Sequence, residues 1–98
     1  MTGIEEPEQP VRSEIPLLLT PNPTQGKTLV RYQLTRAEPV SCVVYDATGR
    51  TVDVLFDGMQ DPGAHSLSWD ASRLSPGVYL CQVVSATGSS FSRLAKTR

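Results

Sequence analysis

The sequence has few of the residues that catalysis, metal binding and nucleic-acid binding require. It contains one histidine and two cysteines among 98 residues, and its formal net charge is -1. A nearly neutral chain has little electrostatic attraction for a polyanion. A zinc site needs three or four histidine or cysteine ligands, and the available residues, His65, Cys42 and Cys81, lie far apart in the sequence. We therefore expect no nucleic-acid partner, no metal and no other cofactor.

Catalytic patterns are absent as well. Nucleophilic catalysis needs a nucleophile, a base and a group that orients the base. His65 has only Ser66 and Ser68 close to it in sequence, and neighbours along one strand do not form such a triad. The aspartates do not follow the spacing of a calcium loop, and no glycine loop is suited to cradle phosphate. We interpret His65 as a ring packed at a sheet edge and expect no enzymatic activity.

No apolar run is long enough to cross a bilayer, which takes about 20 residues in a helix. LLL at residues 17–19 and four-residue runs such as CVVY at 42–45 are far too short, so we expect no membrane insertion. The opening MTGIEEPEQP has neither the basic nor the apolar region of a secretory signal. The chain is therefore expected to be either cytoplasmic or part of a longer protein whose export signal lies elsewhere.

The first fourteen residues differ in composition from the rest of the chain. Residues 1–14 contain four glutamates and two prolines but few apolar side chains. Such a segment cannot offset the entropy of ordering by burying apolar surface. This composition predicts a flexible linker over residues 1–14 and a single folded domain over residues 15–98.

From Ile15 onward, short apolar runs are separated by turn sequences such as DATGR, DPG, SPG and ATGS. Apolar residues recur at every second position, the period of a half-buried strand. The predicted inward-facing residues are Val30, Tyr32 and Leu34; Val40, Cys42 and Val44; Val52, Val54 and Phe56; His65, Leu67 and Trp69; and Tyr79, Cys81 and Val83. We interpret the two cysteines as buried thiols, although they could face each other.

About seven short strands, with turn signals roughly every 8–12 residues, predict an all-β fold: an antiparallel β-sandwich, or less favourably a closed barrel. The last run, SSFSRLAKTR, still carries Phe91 and Leu94, so we expect it to be a docked strand and not a frayed tail. Most aromatic residues fall on predicted inward positions, and only Tyr45 is expected to face outward.

The order and spacing of these segments resemble the C-terminal sorting domains of type IX secretion systems (the Por secretion system family). The likeness begins with TPNPTQGKTLVRYQL at 20–34 and continues through VYDATGRTV at 44–52, GAHSLSWDASRLSPGVYLCQV at 63–83 and the basic last strand at 91–98. The matching motif positions are Pro21, Asn22, Pro23, Gly26, Asp46, Gly49, Arg50, Trp69, Gly77 and Tyr79. The chain departs from the family pattern at Ala95 and Lys96, where bulkier apolar residues are usual.

The resemblance implies an immunoglobulin-like sandwich that serves as an export address on a larger cargo protein. In that family the address is recognised by an outer-membrane translocon and is usually removed by a surface sortase. The implied partners are the translocon, the sortase and an upstream cargo domain on the same chain. The implied location is the periplasm in transit, followed by the cell surface or the extracellular space.

Candidate recognition residues lie near the end of the chain: Arg93, Leu94, Lys96, Arg98, Gly77 and Tyr79. We expect the basic side chains of Arg93, Lys96 and Arg98 to be exposed, where they would steer association with a receptor or protect an edge strand from aggregation. Sortase cleavage is expected within or just upstream of the linker, with Pro10, Val11, Arg12 and Ser13 as the candidate region.

Two other functions fit the same fold. The first is a structural module like the immunoglobulin-like domain of flagellar hook-capping proteins, which carries a similar YD-x-x-G-R hairpin. That family often inserts a loop after the WD pair, whereas the ASRLSPGVY segment is short here. The second is an accessory domain that binds carbohydrate or protein for an exported enzyme, which would require exposed aromatic side chains.

Overall fold

The computed structural model describes residues 15–98, so the predicted linker and the candidate cleavage residues Pro10, Val11, Arg12 and Ser13 lie outside the described part. Seven strands follow one another in this range: β1 (Leu17–Thr20), β2 (Lys27–Leu34), β3 (Glu38–Tyr45), β4 (Thr51–Gln60), β5 (Gly63–Asp70), β6 (Gly77–Ser85) and β7 (Ser89–Lys96). Residues 15–98 form no helix of the length and apolar character that would cross a membrane.

The strands form two antiparallel sheets that pack face to face. One sheet has three strands in the order β1-β2-β5, and the other has four in the order β4-β3-β6-β7. The chain changes sheets between β2 and β3, between β4 and β5, and again between β5 and β6. This arrangement confirms the predicted all-β sandwich.

The core lies between the inner faces of the two sheets. Alternate residues along β2, β3 and β6 are buried, as the period-two pattern predicts. Trp69 of β5 and Tyr79 of β6 meet edge to face, with their ring centroids 6.0 Å apart. The buried apolar side chains are Ile15, Leu19, Val30, Tyr32, Leu34, Val40, Cys42, Val44, Trp69, Ala71, Tyr79, Cys81, Val83 and Leu94.

Strand β4 departs from the predicted alternation. Its pairing with β3 shifts register between Cys42 and Val43, and again between Val44 and Tyr45. Each shift leaves an extra residue on β4, as in a β-bulge, so the side chains on either side of it no longer keep strict alternation. Val52 and Phe56 pack partly against the core. The prediction for Val54 was wrong, because its side chain is 54% exposed.

The two cysteines lie side by side in the core. Cys42 pairs with Val83 and Cys81 with Val44, which makes the cysteines diagonal neighbours on β3 and β6. Their sulfur atoms are 3.7 Å apart, and both thiols are free. The hydrogen bond between the thiols, together with burial, raises the pKa of Cys42 well above its usual value.

Candidate functional site

The terminal strand β7 is a structural part of the domain. It pairs with β6 along its whole length, from Val84 opposite Ser89 to Gly77 opposite Lys96. Leu94 lies directly opposite Tyr79, and its side chain is fully buried in the core. The prediction that the last run is docked is therefore confirmed.

One edge of β7 pairs with β6, and the side chain of Asn22 bonds to the other edge. The amide nitrogen of Asn22 donates to the carbonyl oxygen of Arg93 at 2.7 Å. The amide oxygen of Asn22 accepts from the backbone N–H of Ala95 at 3.1 Å. A side-chain amide carries the same donor and acceptor groups as a peptide unit, so Asn22 bonds to this edge as a neighbouring strand would.

Thr24 continues the same contact with its backbone. Its N–H donates to the carbonyl of Ala95 at 2.9 Å, and its carbonyl accepts from the N–H of Thr97 at 2.8 Å. The hydroxyl of Thr24 in turn donates to the carbonyl of Lys27 at 2.9 Å. Asn22 and Thr24 therefore form an edge clamp, a name we use for these two residues, that joins the β1–β2 connection to β7.

The proline and glycine positions of the motif frame this clamp. Pro21 and Pro23 flank Asn22, and neither has an N–H that could compete for backbone acceptors. The carbonyl of Pro21 accepts from the hydroxyl of Thr28 at 2.9 Å. The carbonyl of Gly26 accepts from the N–H of Ala71 at 2.9 Å. The PNPTQG segment is thus fixed to the sandwich at both of its ends.

The six candidate recognition residues do not all reach the surface. The side chains of Tyr79, Leu94 and Lys96 are buried, whereas Gly77, Arg93 and Arg98 are exposed. The structure brings Gly77 and Lys96 together as paired residues, and likewise Tyr79 and Leu94. Of these residues, only Arg93 and Arg98 have exposed side chains, whereas Tyr79, Leu94 and Lys96 contribute to packing.

Lys96 differs from the expectation that it would be exposed, because only 7% of its surface is accessible. It shares a face of β7 with Leu94, two residues before it, and this face is turned toward the core. Its ammonium group donates to the carbonyl of Thr97 at 3.1 Å. The long aliphatic stem of lysine allows such partial burial while the charged end reaches a polar group.

Phe91 also differs from expectation, in the opposite direction. It was predicted to face inward, but 70% of its surface is exposed. Phe91 and Leu94 are three positions apart, so on a strand they point to opposite faces, and the core holds Leu94. An exposed aromatic ring therefore lies beside the exposed Arg93 on the outer face of β7.

The turn between β3 and β4 is organised by the carboxylate of Asp46. Its Oδ1 atom accepts from the hydroxyl of Thr48 at 2.6 Å and from the N–H groups of Thr48 at 2.9 Å and Arg50 at 3.0 Å. These hydrogen bonds, led by that from the Thr48 hydroxyl, lower the pKa of Asp46. Gly49 adopts a φ of 91°, a conformation that residues with a Cβ atom resist. Asp46, Gly49 and Arg50 thus shape the turn.

Two contacts of Tyr79 hold the start of β6 in place. Its hydroxyl donates to the carbonyl of Ser75 at 2.6 Å, and its ring packs against Trp69. Gly77 adopts a φ of 157° and faces open space. In this structure Trp69 and Tyr79 are packing residues, in agreement with their predicted inward-facing positions.

The single histidine of the sequence, His65, is held by ring stacking and by a backbone contact. His65 stacks on Tyr32, with ring centroids 5.5 Å apart, and its Nε2 atom is 2.7 Å from the carbonyl oxygen of Asp61. This matches the interpretation of His65 as a packed ring on β5, an edge strand. In the same part of the chain, no three histidine, cysteine, aspartate or glutamate residues lie close enough to hold a metal ion.

Sequence reasoning missed the contacts made by Asn22 and Thr24 and the exposure of Phe91. Asn22 was recognised only as part of a motif, and Thr24 carried no signal at all. The clamp joins residues about seventy positions apart in sequence, and no local pattern reports such a contact. The odd spacing of Phe91 and Leu94 indicates that their side chains face opposite sides of β7, but it does not show which of the two enters the core.

Comparison with known families gives one match. A family model described as the secretion system C-terminal sorting domain matches residues 19–97. The match includes the edge clamp, the Asp46 turn and β7. It confirms the resemblance seen in the sequence. No curated protein sequence matches this chain.

Proposed function

Because this chain belongs to the family of type IX secretion C-terminal sorting domains, we propose that it directs a cargo domain on the same chain across the outer membrane by docking, in its folded form, on the translocon. The observation that carries the proposal is the family match over residues 19–97. Domains of this family are sorting signals and in general not catalysts. The exported cargo reaches the cell surface or the extracellular space.

The geometry of β7 supports recognition of a folded signal. A receptor that reads the end of a chain binds more tightly when that end is already held in one conformation, because less entropy is lost on binding. Leu94 in the core, the pairing with β6 and the edge clamp together hold β7 in place. Arg93 and Arg98 remain exposed and would add electrostatic steering toward an acidic receptor surface.

We further propose that a surface sortase removes the domain by cleaving within or just upstream of the linker, with Pro10, Val11, Arg12 and Ser13 as the candidate region. Proteolysis requires a segment without stable structure, and the composition of residues 1–14 predicts one. The sandwich itself, from Ile15 onward, is a poor substrate because its backbone is paired in sheets. We also propose that the protein passes through the periplasm before it crosses the outer membrane.

Transport of a fusion protein tests the sorting function. The 98-residue chain is fused to the C terminus of a fluorescent protein with an ordinary export signal, in a host with a working type IX system. The matched control carries residues 1–14 but lacks 15–98. We expect surface or medium fluorescence only for the complete fusion. Periplasmic retention of both proteins would contradict sorting in that host and would favour the structural-module alternative.

The mass of the exported reporter tests the sortase step. We expect the exported protein to have lost the sandwich, with a new C terminus within or just before residues 10–13. A variant with these four residues replaced by glycine should be exported but cleaved more slowly or elsewhere. An exported reporter that keeps the mass of the whole fusion would show that the domain is not removed.

A further inference from the structure

The outer face of the four-stranded sheet is unusually apolar. Seven large apolar side chains are exposed among residues 15–98, and five of them belong to the strands of this sheet: Val54, Met59, Val78, Val84 and Phe91. The other two, Leu18 and Leu29, belong to the three-stranded sheet. Clusters of exposed apolar side chains of this kind mark interaction sites in soluble domains.

The strand registers join these side chains into one surface. Val54 lies opposite Val43 on β3, Val43 opposite Gln82 on β6, and Gln82 opposite Phe91 on β7. This row crosses all four strands. Residues two apart on a strand share a face, so Leu80, Val78 and Val84 lie on the same side. We call Val43, Val54, Val78, Leu80, Val84 and Phe91 the outer-face patch.

Charge is distributed unevenly around the outer-face patch. Arg93 lies on β7, directly opposite Leu80 and two residues from Phe91. At the other edge of the sheet, on the same face, Asp57 of β4 pairs with Ser41 of β3. The patch is thus bordered by a cation at β7 and an anion at β4. A complementary partner presents an apolar centre with a carboxylate placed to meet Arg93.

The edge clamp limits how a partner can bind to β7. Many receptors bind a terminal strand by adding a strand of their own to its free edge. At this edge the carbonyl of Arg93, both polar groups of Ala95 and the N–H of Thr97 already bond to Asn22 and Thr24. Strand addition between residues 93 and 97 would have to displace the clamp, whereas the outer-face patch is open.

From this geometry we propose that the export receptor docks on the outer-face patch and Arg93, reading side chains and not the free backbone edge of β7. This inference rests on the proposed sorting function and specifies its contact surface. Phe91 is the expected anchor, because it is the most exposed of these large apolar side chains and aromatic side chains contribute strongly to interface energetics when they are buried. Arg93 supplies orientation and a faster association rate.

Matched surface variants test the docking face. In the transport assay, Phe91→Ser and Arg93→Glu are compared with Leu18→Ser and Arg31→Glu. The comparison is well matched, because Leu18 and Arg31 lie directly opposite each other on the outer face of the other sheet. Since all four side chains are exposed, thermal unfolding should be nearly unchanged in each variant. We expect export to fall about tenfold or more for the β7 variants and to persist for the controls.

The pattern of results separates the two proposals. Export of the unaltered fusion together with all four variants would overturn the docking face and leave the sorting function intact. Failure of the unaltered fusion would count against the sorting function itself. Loss of export for Leu18→Ser and Arg31→Glu only would move the docking face to the three-stranded sheet and contradict the outer-face patch.

Photo-crosslinking identifies what occupies the patch. A benzophenone side chain is placed at position 91 or, as the control, at position 18, and the exporting cells are irradiated. We expect position 91, and not position 18, to form an adduct with an outer-membrane component of the secretion system, identified by mass spectrometry. Adducts formed only with the fused cargo or with a second copy of this chain would overturn the proposal.

Discussion

Asp46 and Asn22 each use one short side chain to form hydrogen bonds with backbone groups that no neighbouring strand reaches. The two residues do so with different chemistry. Asp46 accepts three hydrogen bonds at Oδ1 within its turn. Asn22 both donates and accepts along β7. The sequence allowed the first role to be predicted, since an aspartate at a turn bonds to backbone just ahead of it. The second role depends on a distant strand and was not predictable.

The turn at Asp46 makes a pH-dependent contribution to stability. Its folded-state pKa is lowered, so its contribution is fully present above the unfolded pKa of about 3.9 and is lost as the pH falls through the folded value. We expect Asp46→Asn to lower the free energy of unfolding at neutral pH and to differ less from the unaltered protein in strong acid. Urea unfolding at several pH values measures this difference.

The control for this prediction is Asp57→Asn, which removes an exposed carboxylate from β4 without touching the turn. It should leave the neutral-pH stability nearly unchanged, as most surface substitutions do. A constant difference between Asp46→Asn and the unaltered protein across the acid range would contradict the proposed role of the ionised carboxylate.

At the level of elements, β7 is a sheet-edge strand whose exposed edge is protected by residues distant in sequence. Edge strands invite unwanted pairing with other chains, and proteins commonly cover them or place charge on them. Here the edge clamp covers the edge and Arg93 adds charge. Charge on the edge was anticipated from the sequence, but with Lys96 among the exposed cations. The structure instead leaves Arg93 and Arg98 in that role.

The edge clamp can be tested by changing Asn22 alone. Asn22→Ala removes two hydrogen bonds, and we expect a loss of about 1–2 kcal/mol in the free energy of unfolding. Faster hydrogen exchange at the N–H of Ala95 should accompany it. Asn22→Asp keeps the acceptor for Ala95 but places a second carboxylate oxygen, which cannot donate, against the carbonyl oxygen of Arg93, so it should also lower the free energy of unfolding. Unchanged exchange at Ala95 in Asn22→Ala would show that the clamp does not hold the edge.

Strand positions were predictable where the period-two pattern was continuous. It placed the inward residues of β2, β3 and β6 correctly, because burial alternates without interruption along these strands. It failed at β4, where bulges interrupt alternation, and at β7, where Phe91 and Leu94 sit on opposite faces. In β7 either side chain could have filled the core, and the choice depends on what β6 presents opposite it.

On the scale of the whole molecule, one core side chain of β7 contributes strongly to the stability of the sandwich. Leu94 is fully buried and lies opposite Tyr79. We expect Leu94→Ala to cost about 2–5 kcal/mol, a large share of the roughly 5–15 kcal/mol that stabilises a typical domain. Leu18→Ala, at a site that is 55% exposed, should change stability much less. Calorimetry or thermal unfolding followed by circular dichroism measures both.

The same reasoning applies to shortening the chain. Removing residues 91–98 takes away most of β7 together with Leu94, so the shortened chain should lose cooperative unfolding. Removing only the exposed Arg98 should leave it intact. Loss of transport after the larger deletion would therefore reflect unfolding as well as loss of a contact surface, and point variants on the outer-face patch are the sharper test of recognition. A cooperative transition in the protein lacking residues 91–98 would contradict this view.

The burial of Leu94 also couples the folding of the core to the position of Arg93. The two residues are neighbours on β7, and their side chains lie on opposite faces of the sheet, Leu94 in the core and Arg93 in solvent. A change that withdraws Leu94 from the core would therefore also displace the cation that borders the outer-face patch. In the proposed docking mode, a receptor that requires Arg93 in its native position would bind only molecules whose core is folded.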